Sequence, residues 1–295
     1  MTLGLNLSFC VKRWVTPALW APLVRGMGVD VVQFSYDLVD PRWPDALLDR
    51  LAAELRQVAA GEGVQVHSAF IGLAHYTHCQ LLHPDPDVRD AAEHWLRRAY
   101  RFAAHAGIPA VGGPLGAVAS RRDGHEADAI PPADYAGLIA RLHRLAGAAR
   151  AEGLAALYVE PTPLRREWPW TVAQAGRMAA DLAGSAVPWR WCLDWGHGTV
   201  APLYGPGAGM ETWLAALGRD TGLLHIQQTD GQADRHWDFT VPGLVNPGAV
   251  AAQLAAHGLA GRPVFLEAFY PFEQTDAAVL DGIRRSVATL RRHFA

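Results

Sequence analysis

Four short apolar runs in the second half of the chain each carry a polar side chain at or near their end. The runs are LYVEP (157–161), WCLDWGH (191–197), LLHIQ (223–227) and VFLEAF (264–269). Continuous apolar runs of this length are typical of strands that are buried on both faces, as in parallel sheets. The pattern therefore predicts four buried strands, whose carboxyl ends carry Glu160, Asp194, Gln227 and Glu267.

Strand-like runs also continue towards the amino terminus, so that eight strands are predicted in all. They cover Gly4–Phe9, Asp30–Phe34, Val64–Ala69, Ala110–Gly112, Leu157–Glu160, Arg190–Asp194, Leu223–Gln227 and Pro263–Glu267. Helical patterns separate them, and eight strand-then-helix units without a break in composition predict a single (β/α)8 TIM barrel domain over residues 1–295. The alternative, an open doubly wound sheet, is disfavoured because no GxGxxG turn follows the first strand.

Helix signals support this interpretation. One helical apolar pattern precedes Gly61, a second precedes Gly107, and both glycines are predicted to end their helices. Asn246 followed by Pro247 is typical of a cap and first turn, and predicts the start of the seventh helix.

Long irregular segments follow four of the predicted strands. They are Gly113–Pro132, Thr162–Trp170, Val200–Gly209 and Gln228–Asn246. Loops that follow barrel strands lie on the catalytic face, and loops of this length are usually functional or mobile. We expect them to cover a substrate.

Composition narrows the possible partners. Half of the 295 residues are apolar, charged residues make up 19%, and the formal net charge is −3. Nucleic-acid and anionic-membrane binders usually present a basic face, so neither partner is expected. A small neutral or weakly charged substrate fits this composition better.

The cysteines and the amino terminus favour a cytoplasmic location. Cys10, Cys79 and Cys192 are an odd number without CxxC spacing, which favours reduced thiols. The first residues lack a signal-peptide pattern, and no apolar run approaches the ~20 residues of a membrane span. Lys12 is the only lysine, which disfavours lysine-dependent Schiff-base chemistry.

The four polar residues at the predicted strand ends suggest a metal site. Consecutive strands of a barrel lie side by side, so their side chains can converge on one ion. Three carboxylates and one amide oxygen are hard ligands that suit Mn²⁺ or Mg²⁺. Any one of these acids could instead form an ordinary salt bridge or helix cap. Four together are harder to explain that way, because buried like charges repel unless a cation joins them.

The segments YVEP, LDWGH, HIQ and FLEAF resemble the metal-binding segments of the xylose isomerase-like TIM barrel superfamily. The resemblance is strongest to its sugar epimerase and hydroxypyruvate isomerase branch. It implies one divalent metal ion, Mn²⁺ in the first place and Mg²⁺ or Co²⁺ as alternatives, and a homodimer or homotetramer. The implied metal ligands are Glu160, Asp194, Gln227 and Glu267. The resemblance further implies that Glu160 and Glu267 move protons and that His197 contacts the substrate.

One departure concerns Gln227, because the epimerases usually carry His at this position and the hydroxypyruvate isomerases carry Gln. The pair Arg235-His236 also resembles the isomerase pattern. The segments TPLRREWPW and HIQQTDGQADRHWDFT resemble tetrulose-phosphate isomerases or racemases. Isomerisation and epimerisation therefore both stay open.

Three further residues are candidates for the site. His67 ends the segment VQVH and either contacts substrate or is a satisfied core histidine. Arg235 either binds a substrate oxygen or phosphate, or is a solvated loop residue. His225 lies two residues before Gln227, hence on the same side of its strand, and is expected to hydrogen-bond to metal ligands.

These observations predict a divalent-metal-dependent isomerase or epimerase of a small ketose or ketose phosphate, acting through a metal-stabilised enediolate. The main alternative is a metal-dependent lyase, a dehydratase or decarboxylase of an oxidised sugar, on the same barrel. An abasic-site endonuclease is disfavoured, because it would need a multi-zinc, histidine-rich site and a basic face. A binding barrel without activity is disfavoured because both candidate acid–base carboxylates are present.

Overall fold

Eight parallel strands form a closed barrel in the computed structural model, which describes residues 1–120 and 130–294. Each strand pairs with the next along the chain, and β8 pairs with β1. The strands are β1 (Leu3–Asn6), β2 (Val31–Ser35), β3 (Gln65–Phe70), β4 (Ala110–Gly113), β5 (Ala156–Val159), β6 (Trp189–Asp194), β7 (Thr221–Ile226) and β8 (Val264–Leu266). The predicted (β/α)8 TIM barrel is confirmed.

Helices return the chain from the end of each strand to the start of the next. They are α1 (Pro17–Gly26), α2 (Asp45–Glu62), α3 (Leu73–Tyr76), α4 (Pro86–Ala106), α5 (Pro132–Ala151), α6 (Val172–Asp181), α7 (Ala201–Tyr204), α8 (Glu211–Leu217), α9 (Pro247–Ala256) and α10 (Asp276–Phe294). The short helices α3 and α7 are additions that precede α4 and α8. Part of the predicted loop Gly113–Pro132, residues 121–129, lies outside the described residues.

Two of the three helix signals are confirmed. Helix α4 ends at Ala106, and Gly107 takes the left-handed conformation with φ 75°. Helix α9 begins at Pro247. The Asn246 side chain accepts hydrogen bonds from the backbone N–H groups of Gly248 at 2.9 Å and Ala249 at 3.1 Å. The predicted stop at Gly61 is wrong, because α2 continues to Glu62 and Gly63 adopts the left-handed conformation. Gly61 remains helical since Gly63 can supply the closing turn.

Apolar side chains fill part of the barrel interior. One of them, Tyr158 on β5, packs against Gly112 on β4 and Gly222 on β7. A Cβ atom on Gly112 would lie 2.3 Å from Tyr158 Cβ, and one on Gly222 would lie 2.4 Å from the Tyr158 ring. The other members of this interior cluster are Val31, Phe70, Ala110, Cys192, Leu223 and Phe265. Because this part of the barrel is filled, the open space lies at the carboxyl ends of the strands.

Within the described part of the chain, no helix combines the length and the apolar character that crossing a membrane requires.

Candidate metal and substrate site

The four predicted ligand residues all lie at the carboxyl ends of their strands. Asp194 is the last residue of β6, whereas Glu160, Gln227 and Glu267 each follow the last residue of β5, β7 and β8. Their exposed fractions are 6% for Glu160, 2% for Asp194, 0% for Gln227 and 8% for Glu267. Four consecutive strands therefore place three carboxyl groups and one amide in the buried part of one barrel end.

The three carboxylates converge with a histidine. One ligand atom each from Glu160, Asp194, His225 and Glu267 lies within 4.8 Å of the others. His225 Nδ1 is 2.9 Å from Glu160 Oε1 and 2.9 Å from Glu267 Oε2. Asp194 Oδ2 is buried and has no hydrogen-bond partner among the described residues. A divalent cation would satisfy this orphaned oxygen and neutralise the shared negative charge, so the donor set fits such an ion.

Gln227 lies beside the carboxylates, with its amide oxygen turned away from them. Its Nε2 donates to Asp194 Oδ1 at 3.1 Å and to Asp234 Oδ1 at 2.9 Å. Its Oε1 accepts a hydrogen bond from the backbone N–H of His236. Gln227 would therefore have to turn its amide to offer oxygen to a cation, whereas His225 already faces two of the carboxylates.

Two polar residues in otherwise apolar strands orient this group. Asn6 Nδ2 donates to Gln33 Oε1 at 2.7 Å and to Glu267 Oε1 at 2.8 Å. His225 Nε2 lies 2.7 Å from Gln33 Oε1, which can only accept, so Nε2 carries a proton. Sequence reasoning missed Asn6 and Gln33. The available signal in the sequence was a polar amide residue within each of the mainly apolar runs LGLN and VVQFS.

The surroundings move the pKa values of the two glutamates in opposite directions. Burial raises the pKa of Glu160 above its usual value, despite the opposing effect of His225. Burial also acts to raise the pKa of Glu267, but attraction and hydrogen bonding to His225 outweigh it and lower that pKa. The two carboxyl groups thus differ in their affinity for a proton while lying against the same imidazole.

A second polar group lies beside the first. His197 Nδ1 is 2.9 Å from the Pro161 carbonyl oxygen, and its Nε2 is 3.2 Å from Asp234 Oδ2. His236 Nε2 is 3.1 Å from the Asp234 carboxylate. Burial acts to lower the pKa of His236, but the Asp234 carboxylate more than compensates and raises it to about 9. Asp234 was not predicted from the sequence. Its position, one residue before Arg235-His236, was the only signal.

One cavity of about 180 Å³ opens above these residues. Of the predicted site residues, Glu160, Glu267 and His197 line it. The loops predicted to cover a substrate contribute Pro114, Thr162, Asp234 and His236 to its wall. The remaining lining residues are Asn6, Ser8, Ser35, Asp37, Ile71, Gly72, Leu73, Tyr76 and Phe269.

Parts of the cavity wall are held by two acidic residues that sequence reasoning missed. Asp37 accepts hydrogen bonds from the backbone N–H groups of Leu73 at 2.9 Å and Ala74 at 2.8 Å, which fixes the start of α3. Glu167 is 7% exposed and accepts a hydrogen bond from the Thr162 hydroxyl. Both acids therefore position residues of the cavity wall.

His67 and Arg235 do not line this cavity. Strand β3 continues to Phe70, so His67 lies within the strand, and its ring packs 5.4 Å from the Phe265 ring. The Arg235 guanidinium pairs with Asp230 through contacts of 3.0 and 2.9 Å. Their substrate contacts stay predictions that this arrangement does not favour.

The chain belongs to the Xylose isomerase-like TIM barrel family, whose sequence profile matches residues 22–293. A crystal structure from Rhodospirillum rubrum, described provisionally as a xylose isomerase, is 40% identical, covers 99% of both chains and superposes with a TM-score of 0.93. No curated protein matches this sequence significantly.

More distant solved structures share the fold. D-Psicose 3-epimerase from Clostridium cellulolyticum, solved with D-tagatose, is 15% identical over 100% of this chain and 99% of its own, with a TM-score of 0.76. A 3-keto-D-glucoside 4-epimerase from E. coli is 18% identical over 99% of both chains, with a TM-score of 0.70. The family and the Rhodospirillum rubrum structure support an enzyme of the sugar isomerase or epimerase type, whereas these more distant neighbours show the shared fold alone.

Proposed function

We propose that the protein is a divalent-metal-dependent isomerase or epimerase of a small ketose. The observation that carries this proposal is the convergence of Glu160, Asp194 and Glu267, all buried, on one point at the carboxyl ends of the barrel strands. Buried carboxylates that share a cavity with a substrate are the usual basis of metal-assisted proton transfer. The 3-epimerase and 4-epimerase folds among the structural neighbours support the same class of reaction.

Glu160, Asp194 and Glu267 are the proposed ligands of the cation, for which Mn²⁺ is our first choice. The fourth donor comes from the end of β7, where His225 faces two of the carboxylates and Gln227 lies beside Asp194. When bound, a divalent cation would act as a Lewis acid towards a substrate carbonyl and its neighbouring hydroxyl.

Glu160 and Glu267 are the proposed proton carriers. Both line the cavity, and Asn6 holds Oε1 of Glu267 through a hydrogen bond of 2.8 Å. If each carboxylate serves one face of the substrate, the proton leaves on one side and returns on the other, and the carbon is epimerised. If one carboxylate moves the proton between adjacent carbons, an aldose and a ketose interconvert. Both outcomes use the same two residues.

The cavity wall favours an unphosphorylated sugar over a ketose phosphate. Four carboxyl groups line it, those of Asp37, Glu160, Asp234 and Glu267, and no arginine or lysine does so among the described residues. A phosphate would find no arginine fork or lysine ammonium there, whereas sugar hydroxyls could donate hydrogen bonds to the carboxylates. Ile71, Leu73, Pro114 and Phe269 supply an apolar portion that limits the entry of water.

Hydrogen exchange tests the proposal and identifies the reaction. The Mn²⁺-loaded protein is incubated in D₂O with ketoses of three to six carbons and with their phosphates, and NMR follows each carbon-bound hydrogen. Exchange at C3 with inversion selects a 3-epimerase, and exchange at C1 with formation of an aldose selects an isomerase. Absence of exchange in every ketose, with the metal site loaded, would reject the proposed function.

A further inference from the structure

A second cleft adjoins the cavity that holds the carboxylates. Its volume is about 390 Å³, against about 180 Å³ for the cavity itself. The two spaces share four wall residues, which are Ser8, Asp37, Leu73 and Phe269. A molecule bound at the carboxylates can therefore extend past these residues into the cleft. The proposed proton transfer does not use this space, because an enediolate involves only a carbonyl carbon and its neighbour.

The walls of the cleft are mainly apolar. Phe9 follows β1, Leu73 and Ala74 lie on α3, and Tyr270 and Phe272 follow β8. Leu73 is 42% exposed and Phe272 is 54% exposed, although both are large apolar side chains. Exposed apolar side chains along a concave surface are typical of ligand-binding grooves. Such walls favour an apolar group over a further sugar unit.

Arg13 fixes the shape of the cleft. Its side chain is 7% exposed and donates hydrogen bonds of 2.8 Å to the carbonyl oxygens of Pro271 and Gln274. It also donates to the Asp276 carboxylate at 2.8 Å. These contacts join the segment after β1 to the segment after β8, and Asp37 holds the start of α3 on the third side. The cleft is therefore preformed, which lowers the entropic cost of filling it.

Lys12 places a positive charge beside the cleft. Its Nζ lies 4.1 Å from the centroid of the Phe272 ring. Its φ of 60° lies in the left-handed region, which is unfavourable for a residue with a side chain, and strain of this kind is concentrated at ligand-binding sites. An ammonium group attracts the face of an aromatic ring, as it does here with Phe272. The charge and the apolar walls together indicate an aromatic occupant.

We propose that the cleft binds an aromatic group of the substrate, so that the substrate is an aryl-substituted keto sugar. The sugar would lie at the carboxylates, and the ring would lie among Leu73, Phe272 and Lys12. This inference rests on the proposed function and specifies the far end of its substrate. Because enediolate formation needs a free carbonyl and a neighbouring hydroxyl-bearing carbon, the aryl group is attached elsewhere on the sugar. Burial of the ring in the cleft supplies affinity that the polar sugar alone lacks.

Two glycosides that differ only in the group at C1 test this proposal. Phenyl β-D-glucopyranoside and methyl β-D-glucopyranoside are titrated into the Mn²⁺-loaded protein by isothermal calorimetry. Neither contains the free carbonyl that an enediolate needs, so binding is measured without turnover. We expect the phenyl glycoside to bind at least about tenfold more tightly, as burial of an aromatic ring predicts.

Variants of the cleft show where the ring binds. In F272A and in L73A the affinity ratio should fall to about threefold or less, because each removes part of the apolar wall. L19A is the matched control, because Leu19 is 49% exposed on α1 and lines neither space, and it should keep the wild-type ratio. Circular dichroism checks that each variant folds, and either cleft variant suffices if the other does not.

Equal affinities of the two glycosides in the wild type, or a ratio unchanged in both F272A and L73A, would overturn the proposal. Analytical ultracentrifugation tests the rival occupant. An oligomer that dissociates in F272A and persists in L19A would assign the cleft to a second copy of the chain. Glycoside binding needs no turnover, so failure of the ketose exchange test would leave its interpretation unchanged. Exchange in an unsubstituted ketose together with equal glycoside affinities would reject the aryl group alone.

Discussion

At the scale of single residues, Glu267 is held at both of its carboxylate oxygens. Asn6 donates to Oε1 at 2.8 Å, and His225 Nδ1 lies 2.9 Å from Oε2. A carboxylate held at both oxygens has one orientation towards the cavity. We therefore expect E267Q, which keeps the shape and removes the basic oxygen, to lower kcat by about 10²–10⁴-fold.

The measurement is deuterium exchange into the substrate that the ketose panel identifies. E273Q is the control, because Glu273 is exposed and does not line the cavity. The bound metal is quantified in parallel, so that loss of proton transfer is separated from loss of the ion. Near-normal exchange in E267Q would remove Glu267 from the role of proton carrier.

At the scale of secondary-structure elements, glycines show where the barrel allows no side chain. A Cβ on Gly112 would lie 2.7 Å from the Tyr158 carbonyl oxygen, on the neighbouring strand, whereas nothing lies within 4 Å of one on Gly137 in α5. We expect G112A to destabilise the fold by about 1–3 kcal/mol through overpacking. G137A should stabilise it by about 0.5–1 kcal/mol through helix propensity.

Urea unfolding of the two variants beside the wild type gives the comparison. The same glycine-to-alanine change is made in each, so a general effect of alanine would move both midpoints in one direction. Midpoints that both rise would show that β4 and β5 can separate to accept a methyl group, contrary to the packing described.

A charged network joins α4 to α5. The Glu93 carboxylate accepts hydrogen bonds from Arg97 at 2.8 Å, Arg141 at 2.8 Å and Arg144 at 2.9 Å. Burial acts to raise the pKa of Glu93, but the arginines outweigh it and lower this pKa to about 2. Because the folded-state pKa is below the ordinary value of 4.5, the stabilisation is complete above that pH. It is lost as the pH falls towards 2.

The variant E93Q isolates this contribution. We expect it to lower the free energy of unfolding at pH 7 by about 1–2 kcal/mol. The difference from the wild type should shrink as the pH falls from 4.5 towards 2, because Glu93 takes up a proton in the unfolded chain before it does so in the folded protein. E62Q, at an exposed glutamate, should match the wild type throughout. A difference that is independent of pH would show that Glu93 acts through packing alone.

The sequence predicts that each strand exists more accurately than it predicts where the strand ends. All eight strands were predicted, because apolar runs separated by helical patterns report burial directly. Strand β1 ends at Asn6, three residues before the predicted Phe9, since the Asn6 side chain accepts from the Ser8 N–H and starts a turn. Strand β3 continues to Phe70 because β2 and β4 both pair with it there. The end of β3 is thus decided by partner strands, which a local pattern does not contain.

At the scale of the whole molecule, barrel closure explains which site residues could not be predicted. The carboxylates were identifiable because each follows its own apolar run. Asn6 and Glu267 are 261 positions apart, and Gln33 and His225 are 192 positions apart. Only the pairing of β8 with β1 brings such residues together. Asp234 and His236 depend on the path of a long loop, for which the sequence contains no periodic signal.

The metal centre links the stability of the barrel to its proposed activity. Glu160, Asp194 and Glu267 come from three strands, and the unpartnered Asp194 Oδ2 makes their mutual repulsion costly without a cation. At a free Mn²⁺ concentration about 100 times Kd, binding adds about 2.7 kcal/mol to the free energy of unfolding. For a chain of this length, that raises Tm by about 4 °C. EDTA should remove both this increment and the activity, and Mn²⁺ should restore both.

Differential scanning calorimetry of chelated and Mn²⁺-loaded protein measures the shift in Tm. D194N provides the internal test, because it removes one of the repelling charges together with one proposed ligand. Without metal it should unfold at or above the Tm of the chelated wild type, and Mn²⁺ should no longer raise that temperature. Full turnover in a demonstrably metal-free sample, or an equal Mn²⁺ shift in D194N, would contradict a cation held by these carboxylates. The sign of the Tm difference between D194N and the wild type, both without metal, separates electrostatic repulsion from loss of packing. Only repulsion predicts that deleting a buried charge stabilises the barrel.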